Sequence, residues 1–402
     1  MTLADAALLD RNDPLAPCRE RFSLPENALY LDGNSLGALP RAVPARMAQM
    51  VAEEWGRDLI TSWNVHDWID LPRRTGDKLA PLIGAEPGSV IVADSTSVNL
   101  FKLLAVALEK RPERRVILTE RGNFPTDLYI AEGVARFTSC DVVAGDPNQV
   151  DERTAVVLVT EVNYRTGARH DMAALTRRAH AAGALTLWDL CHSAGAVPVD
   201  LAAAGADFAV GCGYKFLNGG PGAPAFAYVA PRHQDGLRQP LQGWLGHAAP
   251  FEFSPDYRPG KGVDALRAGT PPILSMAALD AALDAFAGVD MAAVKRKADA
   301  LFDLFADEIG RRAPELEILT PRDAAQRGSQ ISLRHPEAYA VMQALIARGV
   351  IGDFRQPDII RLGLTPLYLR YQDVYRAAEV LGDVIATRAW DRPEFKRRAK
   401  VV

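Results

Sequence analysis

The chain has 402 residues, is 48% hydrophobic and carries a formal net charge of −4, enough apolar material for a large core and two or three domains. No run of five like charges occurs, which argues against nucleic acid or an anionic membrane as a partner, and no apolar run reaches the roughly 18 residues of a membrane span. The scattered Cys18, Cys140, Cys191 and Cys212 exclude CxxC metal or redox motifs, and the acidic opening "MTLADAALLDRND" does not read as a signal or transit peptide, so a cytoplasmic enzyme without a metal is expected.

In chain order, the first 50 or so residues hold "ALYLDGNSLG" and the start of a helix near Ala42, a segment expected to pack on the rest. Between about residues 88 and 230, short apolar runs bounded by turn signals recur: "SVIVADS", "RVILTE", "FTSCDVVA", "TAVVLVTEV", "ALTLWDL", "DFAVGCG" and "AFAYVA". Most are continuously apolar, as strands covered on both faces are. Helical patterns separate several of them, in "VNLFKLLAVALEK", "TDLYIAEGVARF" and "DMAALTRRAHAAG", the last stopping at Gly183. Strand and helix in alternation predict an α/β fold with a mostly parallel, doubly wound sheet, which binds ligands beyond the carboxyl ends of its strands.

From about residue 275 the pattern changes to long amphipathic helices with a break near Gly288. A strand "QISLRH", a helix "PEAYAVMQALIARG", a strand "DIIRLGL" and a final helix "YQDVYRAAEVLGDVIATRAW" follow, a smaller α+β C-terminal domain. The expected division is 1–50 for the N-terminal segment, 51–275 for the large domain and 276–402 for the small one.

Chemistry concentrates at the strand ends. Ser95, Thr96 and Ser97 follow "IVAD" and open a helix, where hydroxyls and free N–H groups can hold a phosphate or simply cap the helix. Asp189 closes an apolar strand, a costly place for a carboxylate unless it meets a cation. Lys215 stands one strand further on, in "GCGYKFLNGG", where partial desolvation can make an amine nucleophilic. Each has a duller reading as a cap, a turn or a snorkelling side chain. Together they have one economical explanation, pyridoxal phosphate, with its phosphate near Thr96, its ring nitrogen on Asp189 and its aldehyde on Lys215.

The chain also resembles the kynureninases, fold-type I pyridoxal-phosphate enzymes. The matching stretches are "YLDGNSLG", "TSVNL", "NFPTDLY", "DLCHSAGAVPVDL", "GCGYKFLNGGPG", "GWLGH", "GTPPILSM" and "RLGLTPLYLRYQDVYRA", in order over nearly the whole chain. The resemblance implies hydrolysis of L-kynurenine, and possibly of 3-hydroxykynurenine, to anthranilate or its 3-hydroxy form and L-alanine, in tryptophan degradation. It implies catalytic roles for Lys215 and Tyr214, and a cofactor set of Thr96, Ser97, Phe124, Asp127, Thr160, Asp189, His192, Tyr214, Lys215, Trp244 and Thr270. Ser35, His66, Thr270 and Arg361 would meet the substrate, Arg361 as the clamp on its α-carboxylate. Trp244 and Thr270 would reach a neighbouring subunit's site, so a homodimer with shared active sites is implied. Threonine at 270 favours plain kynurenine as substrate, and His66 pulls the other way.

Three rivals are weighed on the residues themselves: a serine hydrolase, another pyridoxal-phosphate chemistry, and a non-catalytic binding protein on the same scaffold, which would be expected to lose the Lys215 that is present. "GNSLG" matches the G-x-S-x-G elbow of serine hydrolases around Ser35, although Pro40 and Pro44 are expected to interrupt the helix such an elbow needs. A cysteine desulfurase would need a cysteine on a loop downstream of the lysine, and none follows Cys212. An aminotransferase would use the same lysine, aspartate and arginine.

Overall fold

The computed structural model describes residues 1–399. Seven strands form the central sheet: β1 (Val90–Val92), β2 (Val116–Thr119), β3 (Asp141–Ala144), β4 (Thr154–Thr160), β5 (Leu185–Asp189), β6 (Phe208–Cys212) and β7 (Ala225–Val229), in the order β1-β7-β6-β5-β4-β2-β3. β2, β3, β4, β5 and β6 pair in parallel, and β7 is antiparallel to both its neighbours. Two antiparallel pairings in succession leave β1 running the same way as β6, so six strands present their carboxyl ends at one edge. β4 to β7 are buried along their whole length, which is why they read as unbroken apolar runs. β3 lies at the edge and alternates exposed with half-buried residues.

The crossover helices are α1 (Thr96–Glu109), α2 (Pro125–Thr138) and α3 (Met172–Ala181). Ser95 caps α1, its hydroxyl accepting from Val98 N at 3.3 Å. Asp171 caps α3 in the same way, 2.9 Å from Ala174 N, and Gly183 follows that helix at φ +80°. The run "FTSCDVVA" is only half strand. Phe137 and Thr138 complete α2, where the Thr138 hydroxyl bonds Val134 O at 2.9 Å, and Ser139 turns left-handed at φ +53° before β3 begins. Phe137 is 84% exposed, so no burial drew it into the sheet.

After residue 272, α4 (Ile273–Ala282) and α5 (Met291–Arg312) flank a break at Gly288, φ +70°. A second, antiparallel sheet follows. Its strands β8 (Glu317–Ile318), β9 (Gln330–Arg334), β10 (Asp353–Arg355) and β11 (Ile359–Gly363) lie in the order β8-β9-β11-β10, with helices α6 (Ala338–Ile346) and α7 (Tyr371–Ala386). β8 and β10 are too short to be read from a sequence pattern.

The N-terminal segment is tied to both sheets. Leu29–Tyr30 pairs in parallel with Val350–Ile351, Gly363 N donates to Leu31 O at 2.7 Å, and Gly37 N donates to Tyr214 O at 2.8 Å. A helix does form at Ala42–Gln49, so Pro44 does not interrupt it. Pro44 lies in the first turn, whose N–H groups have no partner within the helix.

Gly37 is the tightest point of this docking. A Cβ there would meet Lys215 O at 2.3 Å and Asn218 Cα at 2.6 Å, both backbone atoms. Gly133, inside α2, has nothing within 4 Å of such a Cβ. Gly37→Ala should cost about 1–3 kcal/mol in urea unfolding through overpacking, whereas Gly133→Ala should be neutral or stabilise by about 0.5–1 kcal/mol.

Candidate active site

Each crossover brings a functional side chain to the same edge. Ser95, Thr96 and Ser97 follow β1 into α1. Phe124 precedes α2 and Asp127 lies in its first turn, after β2. Thr160 ends β4, Asp189 ends β5 with His192 just beyond, and Tyr214 and Lys215 follow β6. All of these line one cavity of about 170 Å³, together with Thr126, Tyr164 and Cys191. Nine of the sequence-predicted residues therefore converge: Thr96, Ser97, Phe124, Asp127, Thr160, Asp189, His192, Tyr214 and Lys215.

The cavity is chemically divided. At one side, three hydroxyl-bearing residues begin α1, where the helix directs free N–H groups outward. Thr96 Oγ1 also lies 3.7 Å from Cys191 Sγ. At another side, Asp189 is 3% exposed, with Oδ1 accepting from Cys191 N at 2.8 Å and Oδ2 3.5 Å from Thr160 Oγ1. Burial pushes its carboxyl up, partly offset by the bonds to Cys191 and by the charge of Lys215. Asp127, also buried, is pushed well above the usual carboxylate range by burial and by the negative charge of Asp189. Thr160 Oγ1 lies between the two and reaches Asp127 Oδ2 at 3.4 Å.

Lys215 Nζ stands 3.0 Å from His192 Nε2 and 5.8 Å from the centroid of the Phe124 ring. Burial, followed by the cationic Lys215, Arg361 and Arg355, holds His192 well below the ordinary histidine range. Its imidazole is therefore neutral at pH 7 and accepts from Lys215 Nζ through Nε2, while Nδ1 is buried without a partner among the described residues. Phe124 is 39% exposed, unlike a core phenylalanine, and Tyr164 braces it edge-on with ring centroids 5.1 Å apart. Burial also pushes the Tyr214 phenol up, so it stays protonated at neutral pH.

A second cluster adjoins the cavity through Tyr164. Arg361 lies on β11 opposite Asp353 of β10, and its Nε donates to Asp353 Oδ1 at 2.8 Å. Its Nη2 bonds Asp353 Oδ2 and, at 2.8 Å, Ser35 Oγ, and Nη1 donates to Tyr164 O at 2.7 Å. Arg355 bonds Asp353 and Ser35 from the other side. Burial raises the Asp353 carboxyl, but Arg361 and Arg355 outweigh it and keep Asp353 below its ordinary value. Burial and the charge of Asp353 push Asp32 up to about 8. Ser35 thus has two guanidinium groups and a carboxylate for neighbours, no histidine bonds it among the described residues, and Arg361 and Arg355 make Asp353 a weak base, so the hydrolase reading lacks support.

The remaining predicted residues lie elsewhere. His66 Nε2 bonds Asp58 Oδ2 at 2.8 Å, Trp244 is 41% exposed beside Phe251 and Phe253, and Thr270 is exposed ahead of α4. None of the three lines the cavity. The sequence reading missed Asp32, Tyr164, Asp353 and Arg355. The one signal for the last two is "DFR", two charges in strand alternation around a phenylalanine.

Comparison with known proteins adds the following. The family profile described as "Kynureninase C-terminal domain" matches residues 294–381. The protein named "Kynureninase" from Burkholderia pseudomallei (strain K96243) is 54% identical over 413 aligned positions, covering 100% of this chain and 99% of that one. Among solved structures, the apo cysteine desulfurase of Thermococcus onnurineus NA1 superposes with a TM-score of 0.76 at 19% identity, over 92% of this chain and 98% of the other. A C-DES mutant with glycine covalently linked to its PLP cofactor gives 0.77 at 16% identity, over 90% and 98%. At these identities the two structures establish the fold alone.

The neutral His192 has a consequence for stability. Its folded-state affinity for protons lies below that of the unfolded chain, whose imidazoles titrate near 6.5. As pH falls below 6.5 the unfolded state takes up the extra proton, so the stability that is fully present above 6.5 is lost toward acid. In His192→Gln, the slope of unfolding free energy against pH between about 5 and 6.5 should fall by up to about 1.4 kcal/mol per pH unit. Urea unfolding at a series of pH values measures it. The buried Asp127 and Asp189 are present in both proteins and cancel in the difference.

Proposed function

Since the chain belongs to the kynureninase family, we propose that it is a pyridoxal-phosphate-dependent hydrolase that cleaves the Cβ–Cγ bond of L-kynurenine. The products are anthranilate and L-alanine, and one water is consumed. The observation that carries the reading is a cavity walled by an amine, a buried carboxylate without a partner guanidinium and a hydroxyl-rich helix start.

That donor set fits pyridoxal phosphate. The start of α1 at Ser95, Thr96 and Ser97 would hold the phosphate, Asp189 the protonated ring nitrogen, Phe124 a ring face and Lys215 the aldehyde carbon. Asp189 is buried with no cation beyond the influence of Lys215, which is the environment a pyridinium N–H completes. When bound, the cofactor supplies an electron sink conjugated to the substrate's amine, which makes the Cα proton acidic.

The chain's own groups do the rest. Lys215 Nζ, held 3.0 Å from the neutral His192, is the base for the Cα proton and the donor that returns it. Water adds at the γ-carbonyl carbon, the Cβ–Cγ bond breaks toward anthranilate, and Cβ takes a proton on the way to alanine. The Tyr214 hydroxyl, protonated at neutral pH on a ring whose centroid is 5.8 Å from Lys215 Nζ, would carry protons in that second half. Arg361 and Ser35 would orient the α-carboxylate. Asp127 would support Asp189 through Thr160.

We further propose a homodimer in which Trp244 and Thr270 complete the partner's site, in keeping with their exposure away from this chain's own cavity. In that arrangement Thr270 and His66 would sense the substrate's ring, and unsubstituted L-kynurenine is the proposed preferred substrate. The division into a cofactor-binding part and a smaller C-terminal part is placed near residue 275. No helix among the described residues is long and apolar enough to cross a membrane, and a cytoplasmic location is proposed. An aminotransferase could use the same Lys215, Asp189 and Arg361, so it is the family, not the geometry, that sets that reading aside.

Purified holoenzyme given L-kynurenine should develop anthranilate fluorescence with L-alanine in equal amount, and absence of both would overturn the assignment. Lys215→Ala should lose the absorbance band of the lysine-bound cofactor and about 10³-fold or more in turnover. An unchanged band in that variant removes Lys215 from its role.

A further inference from the structure

The N–H groups of Arg361 are nearly all committed within the protein. Nε and Nη2 grip the two oxygens of Asp353, Nη2 also reaches Ser35 Oγ, and Nη1 donates to Tyr164 O. One N–H remains on Nη1, and the side chain is 1% exposed. A carboxylate that takes two parallel N–H bonds from this residue must displace either Asp353, from Nε and Nη2, or Ser35 Oγ, from Nη2.

Arg355 has two N–H donors free among the described residues where Arg361 has one. It stands two residues from Asp353 on β10, so its side chain emerges on the same face, and Arg361 is the cross-strand neighbour of Asp353. Arg355 Nη2 donates to Ser35 Oγ at 3.2 Å and lies 2.8 Å from Asp353 Oδ2, and Nη1 donates to Phe354 O at 3.1 Å. That leaves Nε–H and an Nη1–H unpaired, on a side chain 32% exposed. Its charge acts on His192 and it is in turn influenced by Tyr164, both of which line the cavity.

The charges point the same way. Two guanidinium groups face Asp353, which is ionised, and Asp32, whose Oδ1 is buried without a partner. With Asp32 pushed up to about 8, the cluster holds one positive charge more than it neutralises near pH 7. A single anion would balance it.

We propose that Arg355 is a second ligand of the substrate's α-carboxylate, supplying the open half of a two-arginine clamp whose buried half is Arg361. Ser35 bridges the halves and Asp353 holds both forks in register. The inference rests on the proposed amino-acid substrate but not on the bond that is cleaved. It predicts discrimination against amino compounds whose carboxylate is masked or missing.

The test uses holoenzyme and the change in cofactor absorbance on adding L-alanine or L-alaninamide, beside the KM for L-kynurenine. Arg355→Gln should weaken L-alanine binding and raise KM by about tenfold or more, the weight of a charge-assisted hydrogen bond. Its kcat should change little and its affinity for L-alaninamide not at all. Equal weakening of both ligands, or unchanged L-alanine binding, overturns the proposal. Should Arg355→Gln fail to fold, Arg355→Lys keeps the charge opposite Asp353 and removes the free Nε–H and Nη1–H donors. It should still weaken L-alanine binding several-fold relative to L-alaninamide, and wild-type values for both would overturn the proposal. Wild-type protein that binds L-alanine but releases no anthranilate would instead fail the reading of the reaction and leave the clamp standing.

Discussion

Asp189 is a carboxylate at the end of a fully buried strand, bonded by a backbone N–H and 3.5 Å from a threonine hydroxyl, with no partner guanidinium among the described residues. Burying such a group without a strong cation costs several kcal/mol, and the neighbouring structure is arranged around that cost. Cys191 N satisfies one of its oxygens, Thr160 Oγ1, which bonds Asn123 Oδ1, lies 3.5 Å from the other, Asp127 is forced toward its neutral form, and Lys215 contributes its charge from one strand away. A ring nitrogen that carries a proton is the natural occupant of such a place. The sheet makes this possible because β4, β5 and β6 run in parallel, so Thr160, Asp189 and the loop of Lys215 finish at one edge.

The second constraint is the junction between the N-terminal loop and the four-stranded sheet. Gly33 and Gly363 let the backbone approach side chains so closely that a Cβ at either would lie 2.4 Å or less from side-chain oxygens of Thr365, Tyr368 or Asn34. That closeness places Ser35 within hydrogen-bonding reach of Arg361 and Arg355. It also leaves Asp32 Oδ1, both amide atoms of Asn34, Thr365 Oγ1 and Tyr368 OH buried without protein partners. The concentration of unsatisfied polar atoms beside the Arg361–Asp353–Arg355 cluster is where local rules of folding yield to positioning.

The fold by itself does not name the reaction. Chains of 16–19% identity with the same architecture are described as a cysteine desulfurase and as C-DES, and the scaffold is shared while the chemistry is set by a handful of side chains. Here no cysteine follows Cys212, so the downstream thiol a desulfurase needs is absent. What the site does hold is a neutral imidazole against the lysine and a protonated phenol beside it, groups suited to moving protons around a cleaved carbon–carbon bond.

Much of this was legible in the residues alone. The seven apolar runs, the helix stops at Gly183 and Gly288, and the order Thr96, Asp189, Lys215 follow from local patterning, since a buried parallel strand must be apolar and its functional group must wait for its end. The half-strand at "FTSCDVVA" was misread because an exposed Phe137 has the composition of a strand and the environment of a helix end. Asp353, Arg355, Asp32 and Tyr164 left almost no trace, because the contacts that join Ser35 to Asp353 and Arg355, and Tyr164 to Arg361, span 318, 320 and 197 residues of chain. Sequence determined the sheet, the cofactor chemistry and the family, through periodicities and motifs that act locally. Only the tertiary structure decided that Ser35, Arg355 and Arg361 share one carboxylate, and that His192 is held neutral against Lys215, because burial and charge are properties of the assembled fold.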